Sequence, residues 1–223
     1  MDQFFTPFRE YPVAFVAELT TLLPLVIGLF YLRSLQQDLK LLLFLFFIFF
    51  VRDISSNFLA SLKENNLFVY NLSSVLEIFF LAFIFYCNTS IKSKIYRRII
   101  IYGGIICLLT SVLLYTRDDF SAGDFTIVRI YGMTLTAAFF ERILSEVAVK
   151  DILKYPMFWV GSGFLLYFCG TFFIFLLSNE VLSKYAERDV FKLYWDTSLL
   201  FYMVFCLLSS IGIHASQYDN NLS

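Results

Sequence analysis

The chain has 223 residues, 59% hydrophobic and only 16% charged, with a formal net charge of −1 and a mean hydropathy of +0.74. Soluble domains carry about 25% charged residues, and a charge this close to neutral leaves no footprint for nucleic acid. The apolar residues fall in blocks near twenty residues long, the length that crosses a bilayer, and the links between blocks are too short for a soluble domain.

The first twelve residues, MDQFFTPFREYP, are aromatic and read as interfacial. Helix 1 is expected over 13–32, with Pro24 inside it and Glu18 about a turn from its start. It carries a charge and is followed at once by further apolar blocks, which argues for a retained helix rather than a cleaved signal. Helix 2 is expected over 41–62. It opens with eleven apolar residues, Leu41 to Val51, and then places Arg52 and Asp53 side by side. At ~1.5 Å per residue Arg52 lies ~16 Å into the span, where charge costs a few kcal/mol and marks function by default.

Helix 3 is expected over 67–87, with Asn71, Ser73, Ser74 and Glu77. The most basic loop follows, with Lys92, Lys94, Arg97 and Arg98. Helix 4, 99–115, is the least polar, and an acidic loop, TRDDFSAGDF, leads out of it. Helix 5, 125–149, has Arg129 near its start and Glu141, Arg142 and Glu146 near its end, a solvated face or a docking surface. Helix 6, 157–177, follows Pro156, a residue suited to a helix start. Helix 7, 193–214, has Trp195 and Asp196 near its beginning.

The expectation is an all-α membrane protein, a single seven-transmembrane-helix bundle. Lys and Arg in the short loops favour an outside N-terminus and a cytoplasmic C-terminus. LQQDLKLLLFLF echoes VKDILKYPMFWV and YNLSSVL echoes YWDTSLL, which suggests a three-plus-one-plus-three repeat.

The polar residues keep to helical faces. Asp53 and Asn57 are one turn apart, as are Ser73, Ser74 and Glu77; Arg129, Gly132 and Thr136 form a third stripe. Glu77, ~15 Å down helix 3, is level with Arg52 and Asp53, while Glu18, Arg129 and Asp196 lie in the outer third. These residues (Glu18, Arg52, Asp53, Asn57, Glu77, Arg129 and Asp196) form the candidate ligand-binding set. They describe an outward-facing pocket floored by Arg52, Asp53 and Glu77. They equally describe locks between helices, such as Arg52 with Glu77 or Arg129 with Asp196. On helix 6 the face of Gly163, Tyr167, Gly170 and Ile174 permits close helix approach.

The single histidine, His214, cannot supply the several imidazoles of an intramembrane zinc site, and helix 7 has no lysine for a retinal Schiff base. No serine-hydrolase, zincin or phosphate-loop motif occurs. Cys87, Cys107, Cys169 and Cys206 show no pairing framework. No cofactor, no metal and no enzymatic activity are expected.

The segment KYPMFWVGSGFLLYFCGTFFIFLLSN carries a proline, an aromatic pair with Trp, Ser-Gly, Leu-Tyr-Phe and a closing Ser-Asn. It resembles an uncharacterised family of small seven-helix inner-membrane proteins of Bacteroidetes-type bacteria, and Asp53 and Glu77 match polar positions of that family. The family pattern favours a histidine near the start of helix 7, where this chain has Trp195-Asp196. The resemblance implies residence in a bacterial inner membrane and a neighbouring sensor histidine kinase. The leading expectation is a sensor or receptor-like subunit that binds a small ligand or ion and signals to a cytoplasmic partner. A small transporter or channel and an assembly subunit are the alternatives.

Overall fold

The computed structural model describes residues 12–88, 94–115, 117, 119–146, 151–178 and 188–218. The expected interfacial segment before residue 12 and the basic residues Lys92, Lys150 and Lys184 lie outside the described residues. Among the described residues seven α-helices follow one another: α1 Pro12–Tyr31, α2 Gln37–Ser61, α3 Leu67–Cys87, α4 Lys94–Leu114, α5 Ala122–Glu146, α6 Pro156–Leu176 and α7 Arg188–Ala215. Short 3₁₀ turns, Ile152–Lys154 and Ser216–Tyr218, precede α6 and follow α7. No strand occurs among the described residues.

Five helices (α1, α3, α4, α6 and most of α7) are long and apolar enough to cross a membrane, the architecture of an integral membrane protein. The other two, α2 and α5, carry the mid-helix arginines. Helix α2 still turns an apolar stripe outward: Phe44, Phe47, Val51, Ile54 and Phe58 are all exposed at helical spacing. Its opposite face buries Leu42, Leu45, Phe46 and Phe49.

Packing is cyclic. Each of α1, α2, α3, α5, α6 and α7 packs on the next, and α7 closes back on α1. Helix α4 braces the outside, against α3 and α5, through one narrow seam of Tyr96, Ile100, Gly104 and Ser111. Below, the upper end of the bundle is the one holding the start of α1. Close approaches require glycine at several points: a Cβ at Gly212 would stand 2.7 Å from the Pro156 carbonyl oxygen, one at Gly132 2.2 Å from Phe168, and one at Gly170 2.4 Å from Phe201. The small face expected on helix 6 is therefore the α6–α7 seam, with Gly163 against Phe205 in the same row.

Helix boundaries differ from expectation in two instructive places. Helix α2 begins at Gln37, so Asp38 belongs to the helix; it sits on the buried face one turn before Leu42. Helix α5 begins at Ala122, which brings Asp124 into its first turn. The turn between α2 and α3 closes with Lys63 in the left-handed region, φ 60°. Lys63 N–H donates to Ala60 O and Glu64 N–H to Leu59 O, both 3.0 Å, the paired bonds of a Schellman stop.

Halfway down, the core is aromatic. Phe46 of α2, Phe205 of α7, Phe164 of α6, Phe85 of α3 and Phe139 of α5 are all fully buried. They touch in sequence, with ring centroids 5.0, 4.5, 6.0 and 5.6 Å apart. This layer spans the bundle and divides its polar residues into an upper and a lower group.

Candidate functional site

The upper polar residues form two clusters, not one floor. In the first, Arg129 of α5 is enclosed. Its Nη1 donates to Glu77 Oε1 at 3.0 Å across to α3, its Nε to Thr171 Oγ1 at 3.0 Å, and its Nη2 to the Tyr167 hydroxyl at 2.8 Å, both on α6. The guanidinium also lies 4.6 Å from the Tyr167 ring centre and 4.8 Å from that of Phe175. The side chains of Arg129 and Glu77 are only 1% and 3% exposed.

Immediately above, the buried Asp124 carboxylate accepts from Ser74 on α3 and Ser111 on α4. One turn higher Asn71 holds the α4–α5 connection: its Nδ2 donates to Asp119 O at 2.9 Å and its Oδ1 accepts from Ser121 N–H at 3.2 Å. Four helices are thus tied by a polar column whose groups point at one another.

The second cluster lies between α1, α2, α3 and α7. Arg52 Nε donates to Asp53 Oδ1 at 2.8 Å, its neighbour on the same helix. The Arg52 guanidinium rests over Phe49 at 4.8 Å and Tyr70 at 5.2 Å. Tyr70 meets Trp195 of α7 edge-on at 6.0 Å. Asn57 Nδ2 donates to Glu18 Oε1 at 2.7 Å, joining α2 to α1, and Asn66 Nδ2 donates to Ser56 Oγ at 2.7 Å. Lower down, Thr21 and Tyr202 share a hydrogen bond of 2.9 Å between α1 and α7. The Arg52 and Asp53 side chains keep 14% and 12% exposure, and Asn57 is exposed.

The expected floor is corrected accordingly: Glu77 pairs with Arg129, and Arg52 with Asp53. Helix α5 starts three residues earlier than the apolar pattern indicated, so Arg129 is seven residues (about 10 Å) inside it. The pairings considered from sequence, Arg52 with Glu77 and Arg129 with Asp196, do not form. Asp196 is half-buried on α7, and among the described residues no side-chain hydrogen bond or ion pair joins it to either cluster. Glu18 and Asn57, both in the candidate set, meet directly.

A third group, below the aromatic layer, escaped the sequence reading. Asn88, just past the end of α3, donates through Nδ2 to Asp38 Oδ2 at 2.9 Å and accepts through Oδ1 from the Tyr155 hydroxyl at 2.9 Å. Asp38 Oδ1 accepts from Leu39 N–H at 2.8 Å. All three side chains are buried, tying the start of α2, the end of α3 and the start of α6. The available signal was the spacing of Asp38 with Leu42, Leu45 and Phe49, which continues the buried face back into the linker. Likewise Ser121 and Asp124, three apart before an apolar run, mark a helix start at 122. At the lower surface the exposed Glu141 pairs with Arg142 at 3.2 Å, a solvated ion pair; the Glu146 side chain lies outside the description.

Among the described residues no three His, Cys, Asp or Glu side chains stand together as a metal site. No protein-family model, curated protein or solved structure matches the chain. The reading of function rests on the geometry.

Proposed function

We propose that the protein is a membrane sensor or receptor-like subunit, with seven membrane crossings, its upper end outside and its lower end in the cytoplasm of a bacterial inner membrane. The ligand site is the cluster of Glu18, Arg52, Asp53 and Asn57. The observation that carries this reading is the contrast in saturation. Arg129 is spent on three hydrogen-bond acceptors in a sealed site, whereas the Glu18–Asn57 pair and Arg52–Asp53 remain open to one side. Among the described residues no cation pairs with Glu18, and the positive charge of Arg52 is matched by Asp53. The cluster therefore carries a net negative charge and favours a small cationic or zwitterionic ligand.

Signal transfer has a physical route. The cluster touches α1, α2, α3 and α7, and the Asp38–Asn88–Tyr155 network grips α2, α3 and α6 at the other end. A ligand that binds two packings of these helices with different affinity shifts the population between them. A cytoplasmic partner such as a histidine kinase reads the lower end. The aromatic layer argues against the transporter reading, because both halves of a transport path need polar lining and five buried phenylalanines stand between them.

The test is thermal unfolding of the protein in nanodiscs, titrated with panels of small amines and of small carboxylic acids. Amines raise the melting temperature and Glu18→Gln removes the effect. Stabilisation by acids, or by neither panel, overturns the reading. The sealed Arg129 column favours one other possibility, an assembly subunit whose charges only hold helices. That reading predicts a stoichiometric partner on purification and no response to either panel.

A further inference from the structure

A groove of about 190 Å³ runs along the outside of the bundle between α4 and α5. Ile99, Gly103 and Ile106 of α4 form one wall and Ile127 and Ile130 of α5 the other, with Tyr131 as the floor. It exists because Gly103 has no side chain: a Cβ there would come within 3.0 Å of the Tyr131 ring. The Tyr131 hydroxyl is turned away, donating to Ile100 O at 2.8 Å. Thr134, at the lower end, donates its hydroxyl to Ile130 O at 2.8 Å. The groove thus offers a ligand no free hydroxyl donor. Its length, seven residues of each helix, is about 11 Å.

The groove opens on the most lipid-like surface of the molecule. Ile99, Ile106 and Ile130 on its rims are exposed, as are Ile101, Ile105 and Leu109 beside it. Helix α4 is one of the five apolar spans, so what surrounds this surface is hydrocarbon. Less than two turns below the groove, α4 presents the exposed Lys94 and Arg98, four residues apart on one face, at the depth where a span meets headgroups. Arg97 turns instead toward α3, lying 5.3 Å over the Tyr86 ring. Of the acids at this end of α5, Glu141 pairs with Arg142 and the Glu146 side chain lies outside the description; among the described residues no acid pairs with Lys94 or Arg98. An apolar slot with cations at its lower mouth matches a ligand with a hydrocarbon tail and an anionic head.

We propose that this groove binds one acyl chain of an anionic phospholipid, with its phosphate at Lys94 and Arg98. The site would brace α4, which has the smallest buried share of the five apolar spans, against α5, and so support the helix that holds Asp124 and Arg129.

The experiment is native mass spectrometry of delipidated protein titrated with phosphatidylglycerol and with phosphatidylcholine. Phosphatidylglycerol is expected to bind more tightly by a factor of about thirty, from about 1 kcal/mol for each of the two basic residues near an anionic headgroup. Thr134→Phe, which fills the groove from an exposed position, removes the phosphatidylglycerol adduct. Lys94→Gln with Arg98→Gln reduces it to the phosphatidylcholine level. Melting temperatures in phosphatidylcholine nanodiscs identify variants that still fold, and Ile130→Trp is the second filling variant should Thr134→Phe fail to fold. Equal affinity for the two lipids overturns the proposal. So does undiminished binding in a folded filling variant, or a dimer formed through this face.

Discussion

Arg129 and Arg52 are the same residue type at similar depth in neighbouring parts of one bundle, yet they are held in opposite ways. Arg129 reaches across to partners on two other helices and is closed off by aromatic rings. Arg52 is neutralised by the next residue of its own helix and keeps one side open. A charge bonded across helices fixes their relative positions, and removing it leaves a buried carboxylate with no counter-charge. A charge neutralised within its own helix makes no ion pair between helices, and Arg52 touches its neighbour α3 through the Tyr70 ring, so its surroundings are freer to respond. The difference separates a structural lock from a candidate site, and it follows from which helices supply the partners.

The largest expected effect tests the lock. Arg129→Met should cost about 3–5 kcal/mol by leaving Glu77 unpaired, measured by denaturant unfolding in nanodiscs. Adding Glu77→Leu should recover most of that loss. A single variant as stable as the parent would remove the distinction between the two arginines.

Next come two changes that loosen the lock's surroundings. Gly132→Val drives a side chain into Phe168, one of the rings beneath Arg129, and should cost about 1–3 kcal/mol. Asn88→Ala leaves Asp38 and the Tyr155 hydroxyl without their shared partner and should also cost about 1–3 kcal/mol. If the lower network couples to the upper cluster, Asn88→Ala also alters the amine response, read as a change in the ligand-induced melting shift. Asp53→Asn sharpens the comparison from the other side. It should cost less than Arg129→Met, because the pair is less enclosed than Arg129 with Glu77, while abolishing the response to amines.

The smallest effect lies at the lower surface. Lys154 donates to Asp151 at 2.9 Å and holds its carboxyl below the ordinary carboxylate range. A depressed folded value contributes stability above the ordinary pKa of 3.8 that is lost as pH falls through the lowered one. The contribution is slight, since Asp151 is solvated and screened. Lys154→Gln should flatten only this acid limb of the melting curve and leave both arginine clusters unaffected.

Much of the candidate site was legible in the chain. Arg52, Asp53, Glu77 and Arg129 stand out because each interrupts an apolar stretch, Glu18 because it is a charge within an apolar helix, and Asn57 because it lies one turn from Asp53. Their partners were harder to read. Glu77 is level with both arginines along its helix, and depth alone does not say which of two equidistant helices it faces. Asp38 and Asp124 were hidden for a different reason. Each lies in the first turn of a helix, where polar residues look like loop, and only the helix start tells whether such a carboxylate is solvated or buried.

Taken alone, the sequence determined the seven helices, the apolar surface that five of them present, and the presence of charge where hydrocarbon was expected. Block length and hydropathy depend only on local order along the chain. Tertiary structure decided that α2 and α5 turn their charges inward, that Glu77 belongs to Arg129, that a layer of phenylalanine divides the two polar ends, and that Arg52 stays open beside Asp53. These depend on rotations of helices about their own axes and on contacts such as Gly132 against Phe168, in which residues far apart in the chain meet at one point.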